Sequence, residues 1–269
     1  MRPAIIVLAV VMLLLCYAST LRGMADQWWN DEDMGHGVVV PLVVFWIVWR
    51  ERSRWQALPM QPSWLGLALL AAGAVIHIAA AMGAGLFAHS VAFLISVLGV
   101  VLAWGGFALL RAWAFPFLLT LFMLPKLVIL YNQFTLPLQL LASRMAAGML
   151  SAAGMHVIRE GNILNVAGHQ IEVAQACSGL RYVIPLGFTA LLLGYLSGSK
   201  PWVRMVLLVA AVPVAIAANA LRVAAAGGLP ALSVGTLHAA SGWAIFFLCL
   251  PALVFVQRLA EAIYARRHA

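Results

Sequence analysis

Apolar residues run along this chain in long blocks rather than alternating with polar ones. Apolar segments approaching the roughly 20 residues that carry a helix across a bilayer fall at about 4–21, 38–50, 64–82, 86–105, 113–125, 179–197, 202–220 and 241–258. Stretches such as 65–81 and 206–218 are apolar on every face, whereas the strands of a closed barrel alternate in polarity, so the blocks predict helices. The pattern predicts an all-α integral membrane protein, a polytopic helical bundle of about eight transmembrane helices. The second and fifth blocks are short and are expected to be tilted, broken or extended by 35–37 and 126–131. The N-terminal block has the look of a signal peptide, but Leu15 precedes Cys16 where a lipobox needs a small residue, so it is read as the first span.

One region, 127–176, departs from the block pattern. From Leu127 to Ala153 the residues Leu136, Leu140, Ala147 and Leu150 recur at helical spacing, with Gln133, Gln139, Ser143 and Arg144 elsewhere around the helix. This predicts an amphipathic helix lying on the outer leaflet. From His156 to Val173 short alternating runs are separated by Glu160-Gly161-Asn162 and Ala167-Gly168-His169, which are turn sequences. A small extracytoplasmic β-hairpin or three-stranded patch is expected there. The chain is read as one transmembrane domain, 1–269, with 127–176 as an extracytoplasmic insertion.

Composition narrows the class further. With 65% hydrophobic and 9% charged residues, the chain has too little polar surface to cover a soluble domain of this length. A net charge of +8 would suggest nucleic acid in a soluble protein, but no basic patch is interleaved with aromatics, so no nucleic-acid partner is expected. With the N-terminus inside, the cytoplasmic side receives ten of the 16 Lys and Arg residues against two acidic ones, and the outer side six against six. The positive-inside rule favours that orientation, with both termini cytoplasmic.

Within this topology the chemistry gathers at one face. Cys177 stands beside Ser178-Gly179, directly before the block that opens at Leu180, whereas Cys16 and Cys249 lie inside wholly apolar runs and are read as packing thiols. The first turn of a helix favours a thiolate, and a neighbouring cation lowers the thiol pKa further. Asn219 and Arg222 close the seventh block at i, i+3, on one helix face, and His238 opens the eighth shortly before Ser241-Gly242-Trp243. A lone Arg at a span end also serves as a snorkelling anchor, and a lone interfacial His is commonly structural. That plainer reading is applied to His77, His89, His156 and His169, which have no partners at ligand spacing. No zinc motif is present, and neither metal nor cofactor is expected.

The blocks Ala176-Cys177-Ser178-Gly179-Leu180-Arg181, Asn219-Ala220-Leu221-Arg222-Val223 and His238 with Ser241-Gly242-Trp243 resemble the three motif blocks of the exosortase/archaeosortase family of membrane transpeptidases. Gly35-His36-Gly37-Val38-Val39-Val40-Pro41 and Phe122-Met123-Leu124-Pro125 also resemble that family. Gln175 stands where many members carry an acidic residue, so no carboxylate role is assigned there. The resemblance implies Cys177 as nucleophile, Arg222 as the cation stabilising thiolate and oxyanion, and His238 as general acid/base, with Ser178, Gly179, Arg181 and Asn219 in support. It implies a bacterial inner-membrane enzyme with its active site on the outer face. The implied substrates are proteins with a C-terminal Pro-Glu-Pro-like motif, one transmembrane helix and a basic tail, passed to an unknown acceptor nucleophile, with membrane lipid as a further partner. Two alternatives stay open: a hydrolytic intramembrane cysteine protease, and a polytopic transporter, against which stands the gathering of polar groups at one surface.

Overall fold

The structure, a computed structural model, describes residues 3–173, 179–232 and 235–268. It is mostly helical, and the chain divides into two compact units, Met1–Leu127 and Val128–Ala269.

The first unit opens with α1 (Pro3–Cys16) and α2 (Ala18–Asn30), bent by 64° at Tyr17. A 3-10 turn at Gly35–Val38 leads into α3 (Val39–Arg50), followed by α4 (Arg52–Gln56), α5 (Leu65–Ala80), α6 (Gly85–Ala112) and α7 (Ala114–Thr120). Helices α5 and α6 form a hairpin held by small residues. A side chain on Gly66 would run into the backbone of Ala103, one on Gly73 into Ser96, and one on Gly99 would sit 2.8 Å from the Gly66 carbonyl oxygen. In lipid, helices gain little from the hydrophobic effect and associate through close backbone approach of this kind. The Tyr17 hydroxyl, at the α1–α2 bend, donates to the Gly73 carbonyl at 3.2 Å and shares a 2.9 Å hydrogen bond with Ser96. Beside it the Nδ1 atoms of His77 and His89 meet at 3.1 Å, a pairing that the expectation of partnerless histidines missed.

The second unit contains α8 (Val128–Ala152), strands β1 (Val157–Glu160), β2 (Ile163–Val166) and β3 (His169–Glu172), then α9 (Leu180–Leu196), α10 (Pro201–Gly228) and α11 (Gly235–His268). Leu186, Leu207, Ala211, Cys249 and Leu253 fill the core shared by α9, α10 and α11. Lys200 in extended backbone with Pro201 at the first helical position starts α10, where a missing N–H costs nothing. Cys249 is buried as a packing thiol, but Cys16 is exposed on α1, so the packing role read for Cys16 does not hold.

Of the two forms expected for the β segment, the structure has the three-stranded one, an antiparallel meander in the order β1-β2-β3, with Val157 opposite Val166 and Val166 opposite His169. The β2–β3 turn has positive φ at both Ala167 and Gly168, the geometry of a two-residue hairpin turn. Helix α8 falls on the stretch where an amphipathic helix was expected, and one side of it is buried in the protein. Thr135, Gln139, Ala142, Ser143, Ala146 and Leu150 make the buried stripe, and Leu136 is exposed. Small side chains let α8 lie close against α10 and the sheet, where Leu164, Val166, Val173 and Val223 cover it. The Ser143 hydroxyl reaches the Gly161 carbonyl at 3.0 Å, so the polar group is satisfied inside the contact.

Three helices among the described residues are long and apolar enough to cross a membrane: Gly85–Ala112, Pro201–Gly228 and Gly235–Arg266. A fourth span results if α1 and α2 count as one broken helix. The remaining blocks form shorter apolar helices at Gly35–Arg50, Leu65–Ala80, Ala114–Met123 and Leu180–Leu196. Each predicted block is thus helical, but a count of eight spans is not established by helix length.

Candidate active site at the junction of three helix ends

Gly179 caps α9 with φ +84°, a left-handed conformation that only glycine adopts without strain. From that turn the Tyr182 N–H donates to the Gly179 carbonyl at 3.0 Å, setting Tyr182 in the first turn of α9. Tyr182 is buried, and a buried phenol needs a partner for its hydroxyl. The partner is Arg222, which lies near the C-terminal end of α10 and is only 3% exposed. Its Nη1 donates to the Tyr182 hydroxyl at 2.8 Å, and its Nε donates to the Ser241 hydroxyl on α11 at 3.1 Å. Both hydroxyls accept from the buried guanidinium and turn their dipoles toward its charge.

The other motif residues explain how three chains of atoms fit here. Asn219, fully buried one turn before Arg222, packs against Gly179, where a Cβ would come within 3.3 Å of the Asn219 Cβ. At Gly242 a Cβ would be 3.0 Å from the Tyr182 hydroxyl and 3.5 Å from Arg222 Nη2. Glycine there lets α11 approach the guanidinium. Arg181 is half-buried at the start of α9. Cys177 and Ser178 lie outside the described residues, as does the side chain of His238. Their positions in the chain are nonetheless tied to the junction: Cys177 is two residues before Gly179, and His238 is in α11, three residues before Ser241. The structure therefore brings Gly179, Asn219 and Arg222 together, and adds Tyr182, Ser241 and Gly242, to which sequence reasoning gave no role. Tyr182 stands in the first turn of α9, directly after the cysteine block, but its partner is 40 residues away in the chain, and no spacing in the sequence links the two.

The first unit has a polar centre of its own. Lys126 Nζ lies 2.7 Å from an Asp31 carboxylate oxygen and 3.1 Å from one of Asp33. Trp28 Nε1 donates to the Met123 carbonyl at 3.0 Å, and His36 Nε2 lies 3.0 Å from the Phe122 carbonyl oxygen. Gly37 has no room for a side chain because the Trp28 indole lies on it. The Gly35–Pro41 and Phe122–Pro125 stretches are thereby joined. Among the described residues no three His, Cys, Asp or Glu side chains converge as a metal-ligand set.

These features define a helical membrane protein with a buried cation where three helix ends meet, each end following or carrying one motif block. The family description Transmembrane exosortase (Exosortase_EpsH) matches residues 28–255. The chain belongs to that family, and its class is that of a transmembrane sorting enzyme. Neither the comparison with curated proteins nor that with solved structures gave a match.

Proposed function

We propose that this protein is a cysteine transpeptidase. It cleaves the C-terminal sorting signal of exported proteins, a Pro-Glu-Pro-type motif followed by a transmembrane helix and a basic tail, and transfers the trimmed protein to an acceptor. The observation that carries the reading is the burial of Arg222 between Tyr182 and Ser241, which ties the helix that follows Cys177 to the helix that bears His238.

In this mechanism the Cys177 thiolate attacks the scissile carbonyl carbon, and the carbonyl π electrons move onto oxygen. The Arg222 guanidinium stabilises first the thiolate and then that oxyanion. Collapse of the tetrahedral intermediate breaks the C–N bond. His238, as imidazolium, protonates the departing amine and becomes the base for the second half-reaction. An acceptor amine or hydroxyl gives its proton to His238 as it attacks the thioester, and the thiolate leaves. Water in place of the acceptor gives hydrolysis.

The enzyme acts as one domain of about eight spans, residues 1–269, in a bacterial inner membrane. Both termini are cytoplasmic, 127–176 is extracytoplasmic, and Cys177, Arg222 and His238 lie at the outer face; the support for this orientation is the distribution of Lys and Arg. Mass spectrometry of a co-expressed protein bearing such a C-terminal signal tests the reading. Wild type yields a C-terminal end cut before the span and joined to an added mass. Cys177→Ala yields the uncut protein. A cut end carrying only water would identify a protease, and an intact substrate with wild-type enzyme would discard the reading.

A further inference from the structure

We infer that Tyr182 and Ser241 are positioning residues that hold the Arg222 guanidinium as a tie between the start of α9, the helix that follows Cys177 in the chain, and the start of α11, the helix that carries His238. The inference rests on the proposed roles of Cys177, Arg222 and His238 and assigns two residues beyond them.

A guanidinium is a planar fork whose Nε and Nη1 donors point in fixed, divergent directions. One hydrogen bond would leave the plane able to swing about it. Two bonds, from Nη1 to Tyr182 at 2.8 Å and from Nε to Ser241 at 3.1 Å, fix both the place and the tilt of the plane. The two acceptors come from different helices. Tyr182 is in the first turn of α9, five residues after Cys177, and Ser241 is in α11, three residues after His238. Arg222 Cζ also lies 5.9 Å from the Tyr182 ring centroid, and the ring is only 6% exposed, so the phenol cannot turn away from its partner without repacking. Gly242 removes the one side chain that would stand between α11 and the pair. The tie fixes the cation relative to the starts of α9 and α11, and a misplacement of about 1 Å at such a site can cost on the order of a hundredfold in rate.

The test uses the full-length enzyme in detergent with a synthetic peptide containing a Pro-Glu-Pro-type segment and the start of the following span. Tyr182→Phe and Ser241→Ala each remove one acceptor of a charged donor, and each is expected to lower kcat about tenfold or more with KM unchanged. Ser241→Thr, which keeps the hydroxyl, restores the rate. Because the tie acts through Arg222, Tyr182→Phe added to Arg222→Lys produces no further loss. Wild-type kcat in both single variants, while Cys177→Ala is inactive, overturns the tie and leaves the proposed chemistry standing. Losses from Tyr182→Phe and Arg222→Lys that multiply also overturn it, since Tyr182 then acts apart from Arg222. Wild-type turnover by Cys177→Ala removes the reading on which the tie rests, and the tie with it. If Tyr182→Phe does not accumulate in the membrane, the contrast between Ser241→Ala and Ser241→Thr decides.

Discussion

Asn219 packs against the α-carbon of Gly179, leaving 3.3 Å between its Cβ and the place a Gly179 side chain would occupy. Gly179 also holds φ +84°, so an L side chain meets both a backbone and a contact penalty. Gly179→Ala is predicted to lower stability by about 1–2 kcal/mol from the left-handed backbone alone and to slow substrate processing by moving the start of α9. Thermal unfolding in detergent and a timed processing assay measure the two effects. An alanine variant as stable and as fast as wild type would mean that the turn after Cys177 does not need its left-handed residue.

The fold was legible in the sequence where one physical signal dominates. A helix in lipid must be apolar along its length, and every apolar block from 4–21 to 241–258 forms helix. The face that α8 buries in the protein was not legible, because the contact with α10 selects small residues such as Ala142, Ser143 and Ala146, while Leu136 on the predicted apolar stripe stays exposed. Helix packing in a membrane protein rewards close approach as much as apolar bulk. His77 and His89 were read as solitary since they are separated by 12 residues, and only the turn between α5 and α6 brings them to 3.1 Å. At the site, Gly179, Asn219 and Arg222 were visible as motif residues. Tyr182 was not, because a tyrosine in an apolar helix has no recognisable spacing until its hydroxyl partner is known.

The three cysteines offer a test of orientation. Cys249 is buried and Cys16 is exposed on α1, so Cys16 must first be replaced by alanine for the readout to be clean. In that background a membrane-impermeant thiol reagent applied to spheroplasts is predicted to label Cys177 and to spare Cys249. Labelling of Cys177 only after the membrane is permeabilised would reverse the proposed topology. Reporter fusions at Lys200 and at the C-terminus give an independent reading of the same sidedness.

Arg222 and Arg258 separate a catalytic cation from an anchor. Arg258 is exposed on α11 and is predicted to accept lysine without effect, because either side chain can snorkel to the headgroups. Lysine at 222 offers a single ammonium in place of two divergent donors and cannot reproduce both the Tyr182 and Ser241 bonds. Arg222→Lys is predicted to insert normally and to process substrate at least about a hundredfold more slowly, the scale of losing one oxyanion donor. Equal rates for the two lysine variants in a timed assay would return Arg222 to the anchors.

The Asp31–Lys126–Asp33 cluster predicts a pH dependence of stability at both extremes. Burial works to raise the Asp31 pKa, but the Lys126 hydrogen bond, the Asp33 backbone N–H and the Lys126 charge outweigh it, and the carboxyl is held below its ordinary value. For Lys126, burial works downward and the two carboxylates outweigh it, so its ammonium is held above its ordinary value. A lowered acid pKa gives stabilisation that is complete above the unfolded value of about 3.9 and is lost as pH falls through the folded one. A raised amine pKa gives stabilisation that is complete below about 10.4 and is lost as pH rises through the folded one. With side chains 21% and 24% exposed for Lys126 and Asp31, the pair is expected to contribute on the order of 1 kcal/mol. Asp31→Asn is therefore predicted to lower the thermal midpoint of the detergent-solubilised protein at neutral pH, with the gap closing on acidification below about pH 4. Lys126→Gln should show a gap that closes only at strongly alkaline pH. A wild-type to Asp31→Asn difference that persists unchanged to the acid limit would show that the carboxylate charge at Asp31 does not stabilise this loop.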